Sequence, residues 1–287
     1  MGVISVASQE RSNPQQSSLY RCAIAASVWS LLGLLSGAIV TSGGVTTGAI
    51  AGNFLLLHQA IAVLESMVVL MLAIWMIVKQ PAKLGWVLLA TLLAEGALGS
   101  FQTNNPGLAV LHAILGQILL ALTVAAAVCT SSSWTTEPDL VEDHGWPSLG
   151  SMGNITPVFV LAQIALGAGF RHKTLGVMPH LLGAMLIVLL ILCICIFVMQ
   201  QFPTHKILRP CANLLMAIAF TQIFLGIAAF TVRTMTTISA PVAIAITSAH
   251  ATVGALTLAA AVVLQMQIRR HVRPHHEEEE SPDGAAS

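Results

Sequence analysis

Apolar residues run along this chain in blocks of about 20, the length that crosses a hydrocarbon core of roughly 30 Å as a helix, and short polar turns divide them. A transmembrane barrel would alternate with period two, and no such alternation occurs. The blocks predict eight spanning helices, near 21–41, 53–78, 83–103, 107–129, 155–171, 175–200, 206–232 and 240–268. A polar linker, 130–154, separates them four and four. The expected fold is therefore all-α and integral to a membrane, with eight transmembrane helices as two tandem, pseudo-symmetric four-helix bundles. Its layout is a polar N-terminus (1–20), an N-terminal bundle (21–129), the linker, a C-terminal bundle (155–268) and a tail (269–287). The first block lacks a persuasive cleavage site and reads as a span rather than a signal peptide.

Composition agrees with the pattern. The 287 residues are 56% hydrophobic and 8% charged, where soluble domains carry about 25% charged residues. Net charge is zero, which gives no reason to expect a nucleic-acid partner; the expected partner is the lipid bilayer. Lys and Arg set the orientation. With the N-terminus inside, inner segments hold Arg11, Arg21, Lys79, Lys83, Lys206, Arg209, Arg269, Arg270 and Arg273, and outer turns hold only Arg171, Lys173 and Arg233. Both termini are expected in the cytoplasm, so every even-numbered span runs inward. The five cysteines (Cys22, Cys129, Cys193, Cys195, Cys211) have no redox or metal spacing and read as packing thiols.

The two halves carry the same device. Near the outer end of each odd span a glycine follows another residue by four positions: Gly33 and Gly37, Glu95 and Gly99, Gln163 and Gly167, Gln222 and Gly226. Each even span then carries one histidine: His58, His112, His180, His250. A lone histidine in an apolar helix is ordinarily a satisfied core residue. Within a membrane an ionisable side chain is costly and points to function, and here four recur in phase. Imidazoles from two even helices can meet in a bundle core and supply both axial ligands of a haem. Zinc, the main competitor, requires four ligands, and no nearby Cys or Asp completes the set. Small residues beside the histidines (Gly116, Gly183, Ala184, Gly254, Ala255) suit a flat macrocycle, and equally suit helix packing.

Haem propionates need cations, and Arg171, Lys173 and Arg233 lie in the outer turns of the second half, with His172 beside them. The matching positions of the first half are Thr41 and the neutral Gln102–Asn105 turn. The second half thus reads as a site for a permanently held haem and the first as a weaker or transient one. Two acids lie within spans. Glu65 is two turns beyond His58 on one face, and Glu95 is near the outer end of the third span; each is a candidate proton relay or an uncharged, bonded carboxyl. His144, His205, His271, His275 and His276 fall in polar segments and are expected on the surface.

The pattern QxxxGAxxRH, with Thr174 and then HxxGA beyond it, is carried by Gln163, Gly167, Ala168, Arg171, His172, His180, Gly183 and Ala184. QxxLG with a later HxxxGA is carried by Gln222, Leu225, Gly226, His250, Gly254 and Ala255. On these residues the chain resembles the haem A synthase family, the cytochrome oxidase assembly proteins that convert haem O to haem A. The resemblance spans about residues 21–268 and is more specific in the second half. It implies a haem b held by His180 and His250 and a second, substrate haem (haem O or A) at His58 and His112. It also implies a bacterial cytoplasmic membrane and a path that includes haem O synthase and a cytochrome oxidase or other respiratory complex. The family's catalytic glutamate, three residues before the first histidine, is Leu55 here, and its arginine after that histidine is Gln59. Two functions follow as expectations: haem A synthesis, with Glu65 or Glu95 in place of the missing acid, or a b-type membrane cytochrome or haem-binding assembly subunit on the same scaffold. A transporter is disfavoured, because the repeat is parallel and no helix is broken at mid-membrane.

Overall fold

The computed structural model describes residues 14–42, 49–79, 83–101, 105–235 and 237–274. Arg11, most of the Gln102–Asn105 turn, and the tail with His275 and His276 lie outside these residues. Among the described residues nine helices run in chain order: α1 (Pro14–Ser42), α2 (Ala49–Lys79), α3 (Lys83–Phe101), α4 (Pro106–Thr130), the single turn α5 (Ser132–Thr135), α6 (Leu149–Arg171), α7 (Val177–Gln201), α8 (Leu208–Thr234) and α9 (Ala240–His271). Two three-residue strands, β1 (Val141–Asp143) and β2 (Val272–Pro274), pair in parallel, Val141 against Val272.

All but α5 are long and apolar enough to cross a membrane, and large apolar side chains such as Leu56, Met67, Met185 and Phe224 cover their outward faces. Such a surface is stable only in lipid, and the chain is a multi-pass membrane protein. Every backbone amide of a span must bond internally, which the helices achieve; Thr123, Thr130 and Thr156 return their hydroxyls to carbonyls three or four residues earlier.

Helix α1 packs on α2 and α4, which are joined through α3; α6 packs on α7 and α9, which are joined through α8. Helix α9 also packs on α1 and α4, and α4 on α6. More than half of α9 (56%) is buried, against 17–33% for the other spans, so α9 is the central post. The apolar cores, built on Val69, Leu72, Leu88 and Leu119 in one group and Ile191, Ile194, Leu208 and Leu264 in the other, lie toward the end where the linker sits. The opposite end, where α1, α3, α6 and α8 finish and α2, α4, α7 and α9 begin, holds the four histidines; it is called the histidine end below.

The helix ends follow local chemistry. Asn105 caps α4, its side-chain oxygen accepting from Gly107 N at 2.9 Å and Leu108 N at 3.2 Å, with Pro106 in the first turn. Helix α6 begins at Leu149, rather than near 155 as hydropathy predicts. Ser148 caps it, and the buried Asp143 carboxylate accepts from Gly145 N at 3.0 Å and Leu149 N at 2.6 Å. Polar caps, invisible to a hydropathy pattern, extend the helix into the linker. The α6–α7 turn closes through Lys173, at φ 61°, and through Thr174 N and Leu175 N bonded to Gly169 O.

Two histidines expected on the surface are buried. His205 and His271 stack edge to face, ring centres 5.0 Å apart, beneath the linker. His205 Nδ1 accepts from the amides of Ile207 and Leu208, and both imidazoles contact the Asp139 carbonyl oxygen, His271 Nδ1 at 2.9 Å. Arg270 bonds the Thr136 carbonyl and lies over the Trp134 ring, so the linker is fastened to the end of α9 rather than hanging free.

Replacing Asp143 by Ala strips two buried amides of their acceptor and is expected to cost about 1–3 kcal/mol. Asp143→Asn, which keeps one acceptor oxygen, is expected to lose less; thermal unfolding in detergent checks the order.

Candidate functional site

Each of the four span histidines lies against a glycine near the end of the preceding helix. A Cβ built on Gly37, Gly99, Gly167 or Gly226 would sit 3.2, 3.2, 2.9 and 3.1 Å from Cε1 of His58, His112, His180 and His250 respectively. A Cβ at Gly167 forces His180 to shift, and one at Gly37, Gly99 or Gly226 requires the imidazole to give by a few tenths of an ångström, so glycine suits these positions. The same imidazoles interact with the main-chain carbonyls of Gly33, Glu95, Gln163 and Gln222, one turn earlier on the odd helix.

Side chains add to this at Nδ1. Ser36 Oγ donates to the Gly33 carbonyl at 2.9 Å and lies 2.9 Å from His58 Nδ1, so it accepts the ring proton. Glu95 Oε1 is 3.1 Å from His112 Nδ1. The Gln163 amide nitrogen donates to the His180 carbonyl at 2.8 Å and lies 3.0 Å from its Nδ1. His250 Nδ1 is buried with no close side-chain partner.

The histidines form two pairs. His58 and His112 have ring centres 6.5 Å apart with planes at 75°; His180 and His250 are 6.2 Å apart with planes at 84°. A ring nitrogen stands roughly 1.1 Å from its ring centre and binds a metal at about 2 Å, so two imidazoles sharing one ion have centres about 6.3 Å apart. Both pairs have that spacing. Among the described residues no cluster of three or more His, Cys, Asp or Glu side chains could hold a metal ion, so neither pair offers the donors of a zinc site. Two opposed imidazoles fit instead an ion whose other ligands come from a macrocycle.

The residue one turn before each glycine reveals a second regularity. Glu95, Gln163 and Gln222 each reach across to the following helix and lie over a glycine there: Gly116, Gly183 and Gly254. At α1 and α2 the roles are exchanged. Position 33 is glycine, and Glu65 reaches back from α2 to lie over it, beside Ser30. Every helix pair thus joins one polar side chain to one glycine. The sequence pattern contains the glycine at 33 and the acid at 65, but nothing local to either marks them as partners. Leu55 is nearly half exposed among apolar neighbours.

The cations separate. Arg171 bonds the Ala38 carbonyl at 2.9 Å and the Ser42 hydroxyl, which also receives Thr247 Oγ1 at 3.0 Å. A guanidinium at the last turn of α1 complements its dipole and ties α1, α6 and α9 together; its Nε is buried without a partner. Arg233 lies over the Phe170 ring at 5.1 Å, and Lys173 is exposed. His172, beyond the spans, has its pKa held below the usual 6.5, first by burial, then by the adjacent Arg171 and by His112. Ser36, Ser42 and Thr247 did not stand out in the sequence, since single hydroxyls in apolar helices are common.

Two outcomes test this geometry. Gly96 faces open space, so Gly96→Ala is expected to stabilise by up to about 1 kcal/mol through helix propensity, whereas Gly167→Ala destabilises by displacing His180. Thermal unfolding in detergent gives both signs. His172 stays neutral in the folded protein at a pH where the unfolded chain takes up a proton, so its contribution is intact above about pH 6.5 and declines as pH falls below that value; His172→Gln is expected to flatten this part of the stability–pH curve.

The chain matches no protein-family model and no curated protein.

Proposed function

We propose that this protein is a membrane haem protein of the haem A synthase kind. Its C-terminal pair, His180 and His250, would hold haem b, and its N-terminal pair, His58 and His112, would receive haem O and support oxidation of a methyl group to a formyl in two steps. The observation that carries the reading is the pairing itself: two sites with metal-sharing spacing, each imidazole set by a main-chain carbonyl and a glycine. The Lys and Arg distribution supports both termini in the cytoplasm and both sites toward the outer face, and the resemblance implies a bacterial cytoplasmic membrane. Partners on this reading are haem O synthase and a cytochrome oxidase.

Bound haem supplies the redox and oxygen chemistry; the chain's own residues bind and orient. Gly37, Gly99, Gly167 and Gly226 fix the imidazole planes. The free Nε–H of Arg171, with Arg233 and Lys173, offers donors for carboxylates at the histidine end. Glu65 and Glu95 place two carboxyls beside the N-terminal pair, where a proton must be taken up or released as a methyl group is oxidised.

A second reading, a b-type cytochrome or haem-handling subunit, is favoured by one observation. Leu55 occupies the family's acid position and is exposed among apolar residues, and Glu65 lies against Gly33 instead of filling that place.

Haem extraction from protein coexpressed with a haem O source, followed by chromatography and mass analysis, decides between them. Haem A or its hydroxylated precursor beside haem B establishes the synthase; haem B alone, near one per chain, establishes the cytochrome. His180→Ala or His250→Ala is expected to abolish the retained haem and His58→Ala to leave most of it. Protein without haem would overturn both readings.

A further inference from the structure

The four polar side chains that lie over glycines are structurally equivalent, yet they divide chemically by half. Beside His58 and His112 they are two acids, Glu65 and Glu95; beside His180 and His250 they are two amides, Gln163 and Gln222. The acids act on the first pair directly. Glu95 Oε1 is 3.1 Å from His112 Nδ1, and Glu65 is within electrostatic reach of both Glu95 and His112. At the second pair the nearby charge has the opposite sign: Arg171 is within electrostatic reach of His250. No acid faces His180 or His250 among the described residues.

We propose, resting on the haem reading above, that this exchange sets the two sites to different reduction potentials, the N-terminal one lower. A carboxylate close to the Nδ1 of a ligating imidazole increases that ligand's basicity and favours the more positive, oxidised metal; charge near an axial ligand is a lever by which a protein tunes haem. The amide at His180 presents its nitrogen, a donor, to Nδ1, neither amide carries a charge, and Arg171 favours the reduced state of its neighbour. All three effects point the same way. An electron held at the N-terminal site therefore passes downhill to the C-terminal site, one centre oxidised as the other is reduced. Glu65 and Glu95 are positioning residues in this sense, acting through the ligand histidines.

The test is a potentiometric titration of the full-length protein, reconstituted with haem B and followed by its absorption spectrum. Two steps are expected. His58→Ala removes the lower and His180→Ala the upper. Glu95→Gln raises the lower step by at least a tenfold change in the oxidised-to-reduced ratio, about 59 mV for one electron, and leaves the upper in place. The reciprocal Gln163→Glu lowers the upper step and serves where Glu95→Gln fails to fold. Two separate steps that persist unmoved in the Glu65→Gln, Glu95→Gln double variant overturn the proposal and leave the haem reading standing. Loss of the upper step in His58→Ala overturns it as well. Protein that binds no haem B overturns both.

Discussion

An imidazole placed in hydrocarbon must find a partner for its N–H, because an unmatched polar group there costs several kcal/mol. In this protein each imidazole lies by a main-chain carbonyl of the neighbouring helix, and His58, His112 and His180 add a side-chain contact at Nδ1. The ring comes close to the backbone there, and a glycine one turn further on leaves room for the approach. The contacts of His58, His112, His180 and His250 with Gly37, Gly99, Gly167 and Gly226 are four solutions to this one constraint. They fix where α1, α3, α6 and α8 meet the helices that follow them, and so fix the histidine end as a whole. The apolar cores at the other end tolerate substitution by volume; the histidine end tolerates less, because a Cβ at these glycines crowds an imidazole.

A consequence is the rule joining one polar side chain to one glycine at every helix pair. A glycine opposite a Glu or Gln lets the amide or carboxyl lie flat between two helices near an imidazole, where its polar atoms are useful. The exchange at α1 and α2 shows that the space, rather than the residue position, is what the fold maintains. With Gly33 in place of an acid or amide, Glu65 arrives from the opposite helix and occupies equivalent room. The first half therefore keeps the polar group that the others have, by a different route.

Much of this was legible in the sequence, and the reasons differ by element. Eight apolar blocks gave eight helices, since length and hydropathy are direct consequences of bilayer thickness. The histidine–glycine phase was legible because it recurs four times at fixed spacing. The partnership of Gly33 with Glu65 was not, since it depends on the pairing register of two helices. The start of α6 was misplaced because Asp143 and Ser148 satisfy its first amides from outside the apolar block. His205 and His271 looked like surface residues for a related reason: polar neighbours in sequence do not reveal that the linker folds back over them and presents the Asp139 carbonyl. Arg171, expected to serve an anion, is held by the end of α1 because α6 and α1 lie side by side, a tertiary fact.

The junction at Ser42 gives the two histidine pairs a physical connection. Arg171 leaves α6 at the edge of the C-terminal pair and bonds the last turn of α1, the helix whose Gly37 supports His58. Thr247, three residues before His250, donates to the same serine. A displacement of α1 at one site must therefore move groups on α6 and α9 at the other. Helix α9, the most buried span, bears His250. The division of chemistry between acids at one pair and amides at the other therefore falls on two sites that share this one junction.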